Sequence, residues 1–193
     1  MKNIFLQNNE INKALINGLI QNGWSGSWYS ENDNIVIQTN KSNKIVNKLD
    51  YYKGQRLAIC LGIQIEILAS FNKSFLFLEM DDISVINDDW YIINSYHEKN
   101  DKTVDIFGSD SVTITTPINF KSKFMAPELK DFYKSKNKEL PFATNISCLY
   151  YSVGLLIFES LEYNLDDLYD SQLYHFLKRC LEKNPNNRFF IFV

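Results

Sequence analysis

Apolar residues recur along this chain at spacings that predict helices and a smaller number of short strands. Helical spacing is found in five segments, over residues 9–22, 53–71, 128–135, 146–161 and 171–183. The second of these is apolar nearly all round, which indicates a helix buried on every side. The fifth is amphipathic and stops at Pro185, and Asp170 or Ser171 is a suitable residue to cap its start.

Short runs with strand-like composition form two pairs. They cover residues 24–29, 34–38, 83–86 and 90–93. The turn-prone Glu31-Asn32-Asp33 joins the first pair and Asn87-Asp88-Asp89 joins the second, so the second pair is predicted as a hairpin. Residues 95–118 are polar and irregular, and we expect either a long loop or a weak strand pair there.

The amino-acid composition limits the classes of protein to which this chain can belong. A chain of 193 residues with 45% hydrophobic and 15% aromatic residues predicts one folded domain over residues 1–193. The formal charge of -3 offers no basic surface for nucleic acid. The longest apolar run, Leu149 to Leu161, contains Ser152 and Glu159 and is shorter than the roughly 20 residues of a membrane-spanning helix. We therefore expect a soluble, intracellular, cytoplasmic protein without a membrane partner.

Cysteine and histidine usage gives no indication of a metal site. Cys60, Cys148 and Cys180 are far apart and lie in apolar helical patterns, so we expect buried thiols in a reducing compartment. His97 and His175 lack ligand spacing, which argues against zinc.

Several motifs, in this order, resemble the large lobe of a protein kinase over roughly residues 34–190. Ala126-Pro127-Glu128 matches the Ala-Pro-Glu that closes the activation segment. Tyr151-Ser152-Val153-Gly154 resembles the opening of the lobe's central helix, and the run from Phe176 to Arg188 resembles its closing segment. The resemblance implies an ion pair between Glu128 and Arg188 that supports the fold and not catalysis. The alternative is that both are ordinary surface charges.

The resemblance implies an α+β fold that is mainly α. It comprises a kinase-like C-terminal lobe over residues 39–193 and a truncated N-terminal lobe, a remnant over residues 1–38. Gln38-Thr39-Asn40 would be the hinge-like connector. Before residue 34 there is room for one helix and one strand, and the chain has neither a Gly-x-Gly-x-x-Gly loop nor a Val-Ala-Ile-Lys strand. The chain also resembles an uncharacterised kinase-like group of large DNA viruses, whose Asn-, Ile- and Lys-rich composition it shares.

Kinase chemistry is missing at the matching positions. The resemblance implies that the catalytic loop falls on residues 75–82, with Phe77 in place of the catalytic Asp, and a phenyl ring cannot accept a proton. Asp82 replaces the metal-binding Asn and is the one substitution that could still hold a cation. Asn94 stands for the Asp of Asp-Phe-Gly and lacks its charge. Leu149 stands for the buried Asp that braces the catalytic loop, and we expect so apolar a loop to need no polar brace.

These observations predict a catalytically inactive, kinase-like protein (a pseudokinase) without catalytic residues, metal or cofactor. We expect it to bind or scaffold other proteins. A protein partner or a second copy would occupy the truncated small-lobe side, near Trp24 to Gln38. A purely structural role, in a virion or in host cytoplasm, is a further possibility.

The alternative is an enzyme, a divergent metal-dependent phosphotransferase that binds ATP and Mg²⁺ at Asp82 and Asn94. Its metal site would be a cluster of carboxylates, comprising Glu79, Asp81, Asp82, Asp88 and Asp89. The competing explanation for Asp88 and Asp89 is local, because turns favour Asp for hydrogen bonds to nearby backbone.

Overall fold

Helices and antiparallel strands alternate in the computed structural model, which describes residues 2–39, 42–45, 48–87, 89–96, 102–108, 110–115, 117, 122–135 and 139–191. The helices of these residues are α1 (Glu10–Gln21), α2 (Tyr51–Ser70), α3 (Pro127–Lys134), α4 (Ser147–Ser160) and α5 (Gln172–Cys180). The strands are β1 (Lys2–Gln7), β2 (Ser27–Glu31), β3 (Asn34–Thr39), β4 (Ser42–Lys44), β5 (Lys73–Phe75), β6 (Ile83–Ile86), β7 (Trp90–Ile93), β8 (Thr103–Phe107), β9 (Ser111–Ile114) and β10 (Phe142–Asn145).

All five predicted helices are present, each with ends close to those predicted. Local capping explains several of the starts, since the side chains of Asn9, Asp50 and Ser171 accept hydrogen bonds from the backbone of α1, α2 and α5. Ser171 is therefore the cap of α5, and Asp170 lies just outside with a positive φ of 60°.

A three-stranded antiparallel sheet in the order β1-β3-β2 accompanies α1 near the start of the chain. The expectation of one helix and one strand before residue 34 is wrong, because β1 is a second strand. Its inward side chains Ile4 and Leu6 are buried, while Asn3, Phe5 and Gln7 face outward. The alternation that marks a half-buried strand was thus present in the sequence.

Two further antiparallel sheets follow. The first has the order β4-β6-β7, and its strands β6 and β7 have the predicted bounds. The second has the order β10-β9-β8-β5, so the segment 95–118 contains a strand pair, as one of its two predictions stated. Residues 97–101, 109, 116 and 118 of that segment lie outside the described residues.

Two hydrophobic clusters form the core. The larger one joins the inner face of the β1-β3-β2 sheet to α1, α2, α4 and α5. The smaller one packs β8 and β9 against the start of α3 and contains Phe77, Ala126 and Cys148. All three cysteines are buried free thiols, as predicted. Among the described residues, no helix is long and apolar enough to cross a membrane.

Candidate functional site

Residues 75–82 form a loop whose first half is closed to solvent. Phe75, Leu76, Phe77 and Leu78 are each at most 1% exposed. The ring of Phe75 packs edge-on against Tyr96, with centroids 6.1 Å apart, inside the larger cluster. Phe77 points the other way, into the smaller cluster. The first half of the loop therefore offers only carbon side chains and no group that accepts a proton.

A serine of α4 braces this loop. The Oγ of Ser152 accepts a hydrogen bond from the backbone N–H of Leu78 at 2.9 Å and donates one to its carbonyl at 3.2 Å. The expectation that the loop needs no polar brace is wrong, because its buried backbone still requires hydrogen-bond partners. Leu149 is buried and apolar, and the polar contact comes from the same helix one turn further on. With both contacts used on backbone and no exposure, Ser152 has no role as a nucleophile.

Asp82 ends the loop in a short 3₁₀ turn. One oxygen of its carboxylate accepts two hydrogen bonds. Oδ2 accepts hydrogen bonds from the backbone N–H of Glu79 and from Nζ of Lys102, each at 2.7 Å. The same ammonium lies 3.2 Å from Oε2 of Glu79 and 5.4 Å from the centroid of the Phe77 ring. Lys102 thus places a positive charge between two carboxylates, at the point where the alternative phosphotransferase would hold its metal ion.

Burial strengthens this arrangement. The side chains of Lys102 and Asp82 are 16% and 9% exposed, so their attraction is less screened than that of a surface pair. A divalent cation at Asp82 would have to displace the ammonium or lie beside it, and like charges repel. The site is therefore filled by the protein's own cation.

Strand pairing brings Lys102 to the loop. β5 ends at Phe75 and pairs with β8, whose first residue Thr103 lies opposite Phe75. The carbonyl of Lys102 consequently accepts a hydrogen bond from Leu76 at 2.8 Å. Sequence analysis missed Lys102 because it lies 20 residues from Asp82, in a polar stretch with few strong signals.

The other aspartates of the alternative metal cluster, Asp81, Asp88 and Asp89, do not form a metal site with Asp82 in the described part of the chain. Asp81 forms an exposed ion pair with Lys44 at 2.7 Å. Asp89 is exposed and follows Asn87, which has a φ of 53° in the β6–β7 turn, while Asp88 lies outside the described residues. Within the described part of the chain, no three His, Cys, Asp or Glu side chains are grouped to hold a metal.

Asn94 is close to Asp82 through its backbone and not through its side chain. Its N–H donates to the Asp82 carbonyl at 2.9 Å, whereas its side-chain amide donates to Oγ of Ser84 at 2.6 Å. Two residues on, the carbonyl of Tyr96 accepts a hydrogen bond from the buried side chain of Asn12 at 3.2 Å. This segment is therefore tied to α1 on one side and to β6 on the other.

Ala126, Pro127 and Glu128 begin α3. Ala126 caps the helix with extended backbone, Pro127 is the first helical residue, and Glu128 lies in the first turn, where a negative charge is favoured. The structure brings Glu128 and Arg188 together as a bidentate pair, with distances of 2.6 Å and 3.0 Å.

The Arg188 side chain is 0% exposed, so this is no ordinary surface pair. Its remaining hydrogen bonds go to the backbone carbonyls of Ser147, Glu182 and Lys183. These contacts connect α3, the start of α4 and the segment after α5, far from Asp82 in the sequence. Their geometry serves packing and offers no reactive group.

The surface formed by residues 24–38 is less apolar than expected. Trp24 and residues 35–37 are buried against the larger cluster. In the range 24–38 the large hydrophobic side chain that is exposed is Tyr29, at 41%. Phe5, which is 59% exposed, lies on the far side of the same β3 residue, Val36.

No protein-family model and no curated protein matches this chain. Among solved structures, it is similar to the twitchin kinase fragment of C. elegans, an autoregulated protein kinase with immunoglobulin domains, with a TM-score of 0.54 and 14% identity. That match covers 97% of this chain and 49% of the twitchin chain, so the chain spans about half the length of that structure. The likeness shows that this chain has a kinase-like fold.

Proposed function

We propose that this chain is a kinase-like protein without phosphotransfer activity that acts as a protein-binding or scaffolding module. Residues 39–193 correspond to the large lobe and residues 1–38 to a reduced small lobe. Kinship with the viral kinase-like group stays a prediction from composition alone.

The observation that carries the proposal is the ammonium of Lys102 against Asp82. Phosphoryl transfer by a kinase requires metal ions held by side-chain oxygens and a base that accepts the substrate's proton. Oδ2 of Asp82, the residue that the resemblance matches to a metal ligand, is 2.7 Å from Nζ of Lys102. The resemblance matches Phe77 to the base, and this buried phenyl ring cannot accept a proton. The positive charge of Lys102 and the buried ring of Phe77 both favour a site that holds neither a metal ion nor a substrate.

The alternative phosphotransferase requires Asp82 and Asn94 to turn toward a bound metal. Asp82 would have to give up its hydrogen bonds to Lys102 and to the Glu79 backbone, and Asn94 would have to leave Ser84. These contacts weigh against the enzyme and in favour of a binding protein. Phe5 and Tyr29, exposed on the small-lobe sheet, are the surface on which we propose a partner protein or a second copy.

Melting curves with and without millimolar Mg-ATP test the proposal, since a ligand that binds only the folded protein raises the midpoint. We expect no shift. A raised midpoint that Asp82→Ala abolishes, while the exposed neighbour variant Asp81→Ala retains it, would establish the phosphotransferase alternative instead.

A further inference from the structure

The helix α3 has two different faces. On one face the ring of Phe132 stacks on that of Phe142 in β10, with centroids 4.1 Å apart. Lys130, Tyr133 and Lys134 have the spacing i, i+3 and i+4, which places them together on another face. That second face borders a cavity.

The cavity has a volume of about 220 Å³. Ser122 and Met125, from the segment before α3, complete its wall, which is mainly apolar. An apolar cavity of about 150 Å³ holds one benzene molecule, whereas sites for drug-sized ligands have roughly 300–1,000 Å³. The cavity therefore has room for one aromatic ring with a small substituent.

Three polar groups of the cavity wall can donate hydrogen bonds. Lys130 and Lys134 carry ammonium groups, and Oγ of Ser122 accepts the N–H of Phe124 at 3.1 Å, which leaves its own O–H to donate. Nζ of Lys130 donates to the Lys123 carbonyl at 2.7 Å and has two further hydrogens. Such a set suits an anionic group, which accepts hydrogen bonds and does not donate them.

The charge of the wall is positive. Within the described part of the chain, neither Lys130 nor Lys134 forms an ion pair. Burial lowers the pKa of Lys130, and the positive charge of Lys134 lowers it further. A bound anion would offset this repulsion, so charge complementarity favours a negatively charged ligand.

The position of Lys134 in the last turn of α3 explains its charge locally, because a cation is favoured at the C-terminus of a helix. It does not explain Lys130, which is half-buried and lies in the middle of the helix beside the cavity. A half-buried ammonium next to a second one is unfavourable without a counter-charge.

The surface around the cavity is polar. Lys123, Asp131, Lys134 and Ser135 are exposed, and among the described residues 122–135 no large hydrophobic side chain is exposed. Surfaces that bind other proteins usually present a contiguous apolar patch. The cavity thus suits a small molecule better than a protein.

We propose that this cavity binds a small aromatic anion, a benzene ring that carries a carboxylate or a phosphate monoester. The ring lies against Met125 and Tyr133, since a thioether and an aromatic ring both make favourable contacts with aromatic groups. The anionic group accepts hydrogen bonds from Lys130, Lys134 and Ser122. This inference goes beyond the proposed function and does not depend on it.

Methionine methyl signals test the proposal. The chain has three methionines, so ¹³C labelling of their methyl groups gives three signals, and Met125 is the one that lines the cavity. We expect benzoate and phenyl phosphate to shift the Met125 signal, with a dissociation constant on the order of 1 mM, which is usual for ligands of about ten non-hydrogen atoms. The signals of Met1 and Met80 should stay in place. Binding of one anion and not the other would support the site and identify its anionic group.

Two neutral or truncated ligands separate the contributions of charge and ring. Benzamide has the shape of benzoate without its charge, and acetate has the charge without the ring. Each should bind at least about tenfold more weakly than benzoate, because each lacks either the charge-assisted hydrogen bonds or the buried apolar surface.

Variants test the lysines. Lys130→Met and Lys134→Met should each weaken benzoate binding about tenfold, because each removes a charge-assisted hydrogen bond. Lys134 is exposed, so its substitution decides the question even if Lys130→Met unfolds the protein. The matched control is Lys13→Met, which removes a half-buried lysine from α1 and should bind benzoate like the wild type.

The proposal is overturned if neither anion shifts the Met125 signal at concentrations up to about 20 mM, well above the expected dissociation constant. Benzamide that binds as tightly as benzoate, or lysine variants that bind like the wild type, would also overturn it. So would a shift of Met80 without Met125, which would place the ligand at the loop of residues 75–82. The Mg-ATP melting experiment reports on that loop, so the proposed function and this site can fail separately.

Discussion

The ammonium of Lys102 lies 2.7 Å from Oδ2 of Asp82, in a pair whose side chains are 16% and 9% exposed. A second pair of the same chemistry and the same length, Lys44 with Asp81, joins side chains that are 63% and 74% exposed. The two pairs are adjacent in the loop and differ in burial. They therefore offer an internal comparison of what a charge pair contributes here.

Lys102→Met should destabilise the protein by about 2–4 kcal/mol, because it leaves Asp82 buried beside Glu79 without a counter-charge. Lys44→Met should change stability by less than about 1 kcal/mol, since exposed pairs contribute little. Urea unfolding of both variants measures the difference. Equal effects of the two substitutions would contradict the role given to Lys102.

Arg188→Lys should cost about 3–5 kcal/mol, because a lysine cannot form the two-pronged contact with Glu128 and leaves buried carbonyls unpaired. Arg56→Lys is a suitable control, since Arg56 is half-buried, its guanidinium lies 4.8 Å from the Trp90 ring, and such contacts contribute about 0.5–2 kcal/mol. Thermal unfolding of the two variants side by side is the measurement. A loss at Arg188 no larger than that at Arg56 would show that the bidentate pair does not hold α3.

Ser152→Ala should lower stability by about 1–3 kcal/mol, because the buried Leu78 N–H loses its partner. Ser160→Ala in the same helix is the matched control. Its hydroxyl donates to the carbonyl of Leu156 within α4, so its removal leaves no backbone N–H unsatisfied. Amide exchange should also locate the effect, with faster exchange at Leu78 in Ser152→Ala only. Unchanged exchange there would remove Ser152 as the brace.

Stability should fall as pH rises above about 9. Burial raises the pKa of the Cys60 thiol from 9.0 to about 11 and that of Cys180 from 9.0 to about 12. Below pH 9 these thiols are protonated in both states, so the full stability is present. Between pH 9 and these raised values the unfolded chain loses protons and the folded chain does not, which costs at most about 1.4 kcal/mol per pH unit for each thiol.

Denaturant unfolding at pH 8, 9 and 10 checks this direction. Cys180→Ala keeps the Cβ that packs beside Gly154 and should reduce the slope by up to one proton. Stability that is constant or increasing over this range, or a slope that the variant does not change, would contradict the assignment of inert buried thiols.

Helices and hairpins with a clear periodic pattern could be predicted from the sequence. Contacts between residues that lie far apart in the sequence could not. α2 and the β6–β7 hairpin followed from apolar runs bounded by turn residues, since periodicity records burial directly. β5 and β10 span only a few residues, too short for a periodic signal, and β10 ends against the start of α4. β1 was missed because only two of its six residues, Ile4 and Leu6, are buried, which is too few for a clear periodic signal.

The candidate site shows the same limit. Phe77 and Asp82 could be located by counting along a recognised order of motifs. Lys102 and Ser152 could not, because each reaches the loop through folding: Lys102 through the pairing of β5 with β8, and Ser152 through the packing of α4 under Leu78. Lys102 is the hydrogen-bond partner of the Asp82 carboxylate, and Ser152 is that of the Leu78 backbone. Neither partner could be assigned from the sequence.

Paramagnetic line broadening by Mn²⁺ with ATP tests the central claim most directly. The claim is that Lys102 has taken the place of the metal ion. Amide signals of Leu78, Asp82 and Asn94 should keep their intensity when Mn²⁺ and ATP are added to the wild-type chain. Lys102→Met, which frees two carboxylates for a hard cation, should lose those signals and so shows that the method detects binding. Broadening centred on Asp82 and Asn94 in the wild-type chain would contradict the account.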